Sequence, residues 1–278
     1  MLGMYGKNDG REAAAPDTEV SAEDPGTAGE AEEPVDTAGP EPEAAAPAEA
    51  GSALPPYFDE GRTERYEVFA ALNPELAFDD VVWRVNVDLD REPYEDPSEV
   101  KDPSSIQALV TKFFKLPAGY SPSNLVNIDN SMMRAEAAEA MNEMIDMAGS
   151  EGHHLWVQSG YRSFSTQAGI HEQYVAADGQ AGADRYSARA GHSEHQTGLV
   201  ADLNTISDAF GDTPEGKWAI DNCWYFGFIV RYTEENRDVT LFKYEPWHMR
   251  YIGREAAETM HDLGIQSFEE YWAKYVNH

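Results

Sequence analysis

The sequence predicts an α+β domain preceded by a disordered acidic segment. Three observations carry this reading. Composition changes sharply near residue 57. Stretches with helical spacing and β-rich runs are then mixed along the chain. They lack the regular strand–helix–strand period of a doubly wound parallel sheet.

Residues 1–56 hold 13 of the 51 acidic residues, 2 of the 20 basic residues and 8 of the 16 prolines, and no aromatic residue stands between Tyr5 and Tyr57. Such a segment buries too little apolar surface to offset the entropy of ordering it. Proline and like charge then make it a long-reach tether, with an acidic partner-binding tail as the alternative. Residues 57–278 are expected to form the folded domain.

Within that domain Val81–Val87 is β-rich and reads as a strand, and residues 133–149 have apolar positions at helical spacing. His154–Gly160 follows as a strand, and a helix opens after Ser163 as its N-cap. Leu199–Leu203 reads as a strand and Pro214–Phe226 as a helix with proline in its first turn. Phe228–Tyr232 and Lys243–Tyr251 read as strands, and Gly253–Leu263 and Ser267–Val276 as closing helices.

The net charge of −31 argues against nucleic-acid binding, which needs clustered Lys and Arg. The single Cys223 excludes an internal disulfide and a Cys-based zinc site. No stretch approaches the ~18 consecutive apolar residues of a membrane span, and the opening MLGMYGKNDG has no apolar core of a secretory signal.

Three constellations carry chemistry. In Ser193-Glu194-His195-Gln196-Thr197-Gly198-Leu199-Val200-Ala201-Asp202, a turn before a strand could bring His195 and Asp202 to one metal. In Glu245-Pro246-Trp247-His248, a histidine supplies a third ligand and a glutamate lies close enough to act on water. Two His, one Asp and one Glu suit a catalytic zinc with an open position. Each piece alone has a plainer reading: a hydrogen-bonded turn histidine, a strand-end cap, an ion pair on a strand edge. Asp202 favours the metal, because a carboxylate inside an apolar strand lacks a counter-charge. The third constellation, Ser159-Gly160-Tyr161-Arg162-Ser163 with Gln167, puts Arg162 at a strand-to-helix junction. An ordinary ion pair is the competing reading there.

In this order the motifs resemble the VanY-type zinc D-alanyl-D-alanine carboxypeptidases. The pattern Ser-x-His-x-x-Gly-x-x-x-Asp, then Glu-x-x-His, is met by Ser193, His195, Gly198, Asp202, Glu245 and His248. The stretches Leu109–Pro117 and Gly119–Pro122 look like the family's lead-in, with Thr111 in place of Asn and Ala190 in place of Pro as departures. The resemblance spans roughly residues 80–275. It implies a small central antiparallel sheet flanked by helices, as in the Hedgehog and zinc DD-peptidase folds. It further implies Zn²⁺ held by His195, Asp202 and His248, Glu245 as general acid–base, and Arg162 on the oxyanion or the substrate carboxylate. Ser193, Gln167 and Tyr161 are the candidates to bind the peptide's C-terminal carboxylate.

The expected substrates are peptidoglycan stem peptides ending in D-Ala-D-Ala. Cleavage of tetrapeptides by an L,D-carboxypeptidase, an endopeptidase or a D-Ala-D-Ala dipeptidase are alternatives within the fold. A non-catalytic zinc module is the alternative outside it, disfavoured by the presence of Glu245 and Arg162. The enzyme is expected to be a monomer acting outside the cytoplasmic membrane, anchored through a segment this chain lacks. His192 is a candidate to support the site from outside the ligand set. His171 and His261 are expected on the surface or satisfied in the core. His153 and His154 are expected in a strand, facing opposite ways. Cys223 reads as a small buried hydrophobe, and Trp247 as pocket wall or core.

Overall fold

The computed structural model describes residues 54–277. The expected acidic tether, residues 1–56, lies outside the described residues except for Leu54, Pro55 and Pro56. In chain order the elements are helices α1 (Thr63–Leu72) and α2 (Phe78–Asn86), then strands β1 (Ser98–Glu99) and β2 (Phe114–Lys115). A hairpin of β3 (Leu125–Ile128) and β4 (Ser131–Arg134) leads into α3 (Ala135–Ser150), β5 (Val157–Ser159) and α4 (Phe164–Ala183). Then come β6 (Val200–Leu203), α5 (Pro214–Asn222), β7 (Phe228–Tyr232), the single turn α6 (Arg237–Thr240) and β8 (Glu245–Tyr251). The described fold closes with α7 (Arg254–Leu263) and α8 (Phe268–Tyr275).

The expected small antiparallel sheet is present, four strands in the order β5-β6-β8-β7. Side chains alternate between its faces. Ala201, Leu203, Trp247, Met249 and Phe228 point into an apolar cluster with Ala137, Met141 and Met144 of α3. The intervening residues Asp202, His248, Arg250 and Arg231 belong to the opposite face, and all four are buried. One face of the sheet is therefore anchored in core while the other is a buried polar floor. A second apolar cluster joins α2, α7 and α8 through Val82, Val85, Ala256, Met260 and Phe268.

Val81–Val87 is not a strand. Residues 78–86 form α2, and Phe78, Val81, Val82 and Val85 follow the i, i+3, i+4, i+7 spacing of a helix face. Val81, Val82 and Val85 are buried, while Asp79 and Asp80 occupy the first turn, where acidic side chains favour the helix dipole. The valines' strand preference yields to packing of that face. The other boundaries shift less. The helix expected at 133–149 starts at Ala135, because Met133 and Arg134 pair with β3. The strand expected from His154 starts at Val157, so His153 and His154 precede it and do not alternate across it. The helix expected over 214–226 ends at Asn222 and tightens into a 3-10 turn over Cys223–Phe226. Ser163 caps α4 as expected, accepting the Thr166 N–H at 3.2 Å.

Candidate metal and catalytic site

A 3-10 turn, Glu194–Thr197, delivers His195, and Gly198 ends it in the left-handed region at φ +70°. That conformation favours glycine, and a Cβ there would also come within 2.9 Å of Leu125 Cδ2 and 3.2 Å of Arg134 Cγ, which would have to shift. His195 Nδ1 lies 2.6 Å from the Gly160 carbonyl oxygen. A carbonyl only accepts, so Nδ1 carries the proton and Nε2 is left with its lone pair. That Nε2 stands 3.3 Å from Asp202 Oδ2.

Sheet register supplies the other two groups, because Asp202 is the direct cross-strand partner of His248. His248 Nδ1 lies 3.3 Å from Asp202 Oδ1 and 3.9 Å from Glu245 Oε2. The two imidazoles meet nearly at right angles, with centroids 5.1 Å apart. One donor atom from each of His195, Asp202 and His248 falls within 4.8 Å of the others. Asp202 Oδ1 is buried without a hydrogen-bond partner. Burial alone would raise the Asp202 pKa, but the neighbouring His195 and His248 hold it well below the carboxylate range. An ionised carboxylate with an orphaned oxygen, facing two imidazole nitrogens, fits a divalent cation. Three N/O donors with room for a further ligand suit zinc.

These groups line a cavity of about 520 Å³. Glu245 enters it from the start of β8, and burial foremost pushes its carboxyl up to about 7. Arg162 lines it too, with Nη2 3.9 Å from Asp202 Oδ2. Gln167 lines the cavity but is engaged with the protein, accepting from Arg162 Nη1 at 2.8 Å and donating to the Ala188 carbonyl at 2.6 Å. Ser193 is buried along the same wall. Tyr161 is not among the lining residues, and its hydroxyl lies 3.0 Å from Ser121 Oγ. His192 also turns away, its Nδ1 2.7 Å from the Thr111 carbonyl oxygen and its ring edge-on to Tyr94. Trp247 is both wall and core. Cys223 is buried, and His171 is buried with a hydrogen bond to Gln180.

Sequence reasoning missed Glu194. Its carboxylate is fully buried, 3.4 Å from His248 Nε2 and 2.9 Å from both Arg231 and Arg250. Glu269 completes the network with two hydrogen bonds from Arg231, at 2.6 and 3.0 Å. Burial opposes ionisation of Glu194, but the two guanidinium groups outweigh it and hold the carboxyl well below its ordinary range. His248 therefore presents Nδ1 to the site and Nε2 to a carboxylate behind it, the support that orients metal-binding histidines. The one available signal was Glu194's place between Ser193 and His195. Tyr174, Tyr186, Phe242 and Lys243 also line the cavity and were not singled out.

The family model for VanY, D-alanyl-D-alanine carboxypeptidase, matches residues 130–254, which contain all the residues named above as lining the cavity, and Glu194 behind it. The Bacillus subtilis (strain 168) protein YodJ, assigned as a carboxypeptidase, is 40% identical over 191 residues, covering 63% of this chain and 70% of that protein. Among solved structures, the LD-carboxypeptidase LdcB superposes with a TM-score of 0.61 at 39% identity, covering 64% of this chain and 90% of that one. A vancomycin-resistance D,D-pentapeptidase, VanY, solved as a mutant in complex with Zn(II), gives 0.54 at 32% identity, covering 61% and 99%. Similarity of this extent, over the sheet and loops that assemble His195, Asp202, Glu245 and His248, makes the chain a member of the VanY D-alanyl-D-alanine carboxypeptidase family.

Proposed function

We propose that this protein is a zinc-dependent carboxypeptidase that removes the terminal D-Ala from peptidoglycan stem peptides ending in D-Ala-D-Ala. The observation that carries the reading is the buried His195–Asp202–His248 cluster opening beside Glu245 on a peptide-sized cavity. His195, Asp202 and His248 would hold the ion. When bound, zinc polarises a scissile carbonyl and makes water more acidic.

The protein's own groups supply the rest. Glu245 Oε takes a proton from the attacking water and delivers it to the nitrogen of the departing D-Ala, so the peptide is shortened by one residue and one water is consumed. Burial favours the protonated form of Glu245 and a bound cation would favour the ionised one, so the group can both take and return a proton. Arg162 offers N–H donors and positive charge to the developing oxyanion or to the terminal carboxylate. Gln167 aims Arg162 through its 2.8 Å hydrogen bond, and Ser193, which lines the same cavity, takes the role of binding the peptide's C-terminus in this reading. Tyr161 supports the site through the backbone, where its N–H meets the Met132 carbonyl beside Gly160.

Such a substrate lies outside the cytoplasmic membrane, and action there on peptide as a monomer completes the proposal. No helix among the described residues is long and apolar enough to span a membrane. The higher similarity to LdcB favours a second reading, removal of D-Ala from tetrapeptides. Incubating the zinc-loaded protein with defined penta- and tetrapeptides and identifying the released residues by mass spectrometry decides between them. D-Ala release from the pentapeptide alone supports the first reading, and release from neither overturns both.

A further inference from the structure

Lys112, in the stretch that leads into β2, is only 5% exposed and takes no part in the chemistry above. Its Nζ donates to two backbone carbonyls, Asp184 at 2.7 Å and Leu241 at 2.7 Å. The ammonium also lies 4.2 Å from the centroid of the Phe242 ring and 5.7 Å from that of Tyr94. A lysine buried this deeply is costly unless its charge is received. Burial lowers its pKa to about 8, which leaves the side chain mainly cationic at neutral pH.

The two carbonyls belong to two segments that both reach the catalytic cavity. Asp184 ends α4, and the chain that follows contributes Tyr186, Ser187 and Ala188 to its lining. Leu241 precedes Phe242 and Lys243, which line the cavity as well. Leu241 holds φ +60°, a left-handed conformation uncommon for a residue with a side chain. It caps the single turn α6, its N–H donating to the Arg237 carbonyl at 3.0 Å, and the Lys112 ammonium binds its carbonyl. A second link crosses nearby, from the Lys243 N–H to the Arg185 carbonyl at 3.2 Å. The first segment continues into the site, because Ala188 accepts from Gln167, which accepts from Arg162. Lys112 itself is fixed from behind: the Tyr94 N–H donates to its carbonyl at 3.0 Å.

We propose that Lys112 is a positioning residue for peptide recognition: one buried ammonium ties the 184–188 and 241–243 segments together and fixes the part of the cavity lining that they form. The inference rests on the reading that a peptide occupies that cavity. It assigns to Lys112 a role in binding more than in bond cleavage.

The test compares wild type with Lys112→Met and Lys112→Arg in the zinc-loaded protein. Hydrogen exchange is measured without substrate, and KM, kcat and zinc content with the pentapeptide. Lys112→Met is expected to raise KM about tenfold with kcat within about threefold, the pattern of lost binding. Amide exchange should quicken in 184–188 and 241–244, while β6, β8 and zinc content stay as in wild type. Lys112→Arg, which keeps donors and charge, should recover most of the KM. If Lys112→Met does not fold, Lys112→Gln, a shorter side chain that cannot reach both carbonyls, carries the same readouts. Unchanged KM and unchanged exchange in a variant lacking the ammonium would overturn the inference. So would equal losses of kcat, zinc and global protection, which would mark a merely structural lysine. An inactive wild type overturns the peptidase reading instead, and the substrate-free exchange measurement tells the two failures apart.

Discussion

Asp202 on β6 and His248 on β8 are direct cross-strand partners, and this pairing leaves Asp202 Oδ1 3.3 Å from His248 Nδ1. Two residues 46 positions apart in the sequence are thus brought together by strand register, and a slip of one residue would turn the side chain on the shifted strand to the opposite face and part the pair.

Asp202→Asn removes the charge and leaves the register. It is expected to weaken zinc binding by more than the roughly 10–100-fold that loss of an outer partner costs. Competition with a chromogenic chelator measures it. Full retention of zinc affinity would exclude Asp202 as a ligand.

Glu245→Gln keeps the shape of the side chain and removes its proton-transfer capacity. D-Ala release should fall by at least the ~10²–10⁴ that general acid–base groups contribute, with zinc still bound at one equivalent. Parallel measurement of turnover and metal content checks both halves.

Glu194→Gln acts from behind the site. It should lower zinc affinity about 10–100-fold through His248. It should also cost about 3–5 kcal/mol of stability, because Arg231 and Arg250 lose the carboxylate they share. Urea unfolding and chelator competition read the two effects separately.

His192 makes stability depend on pH. Burial lowers its pKa from 6.5 to about 4, against a smaller opposing effect of the Thr111 carbonyl. Between those values the unfolded chain takes up a proton that the folded protein does not. The contribution is complete above pH 6.5 and is lost as pH falls toward 4, by up to about 3 kcal/mol. Urea unfolding at pH 7 and pH 5 should show a smaller difference for His192→Gln than for wild type. An identical difference would refute the assignment.

Much of the site was legible because its spacing and surroundings agree. His195 and Asp202 flank a glycine that the turn favours, and Asp202 stands in an apolar strand where its charge needed explaining. Glu194 was not legible, since its partners Arg231 and Arg250 lie 37 and 56 residues away and the pairing exists only in the assembled interior. Lys112 escaped for the same reason: its partners are backbone carbonyls, which carry no sequence signature. Helix α2 was misread because its valines favour strands, although Phe78, Val81, Val82 and Val85 already followed helical spacing. The sheet was easier to read, since its strands are short apolar runs bounded by turns, and the family resemblance suggested their arrangement.

The Glu194–Arg231–Glu269 connection bears on how this enzyme can be handled. Glu269 lies in the first turn of α8, the last helix of the described fold, yet its carboxylate shares Arg231 with the group behind His248. Cutting the chain before Ser267 would leave Arg231 leaning on Glu194 alone. The strain of that imbalance would reach the histidine on β8. Helix α8 is therefore no dispensable tail: it belongs to the wiring behind the candidate metal centre as much as the loop that carries His195.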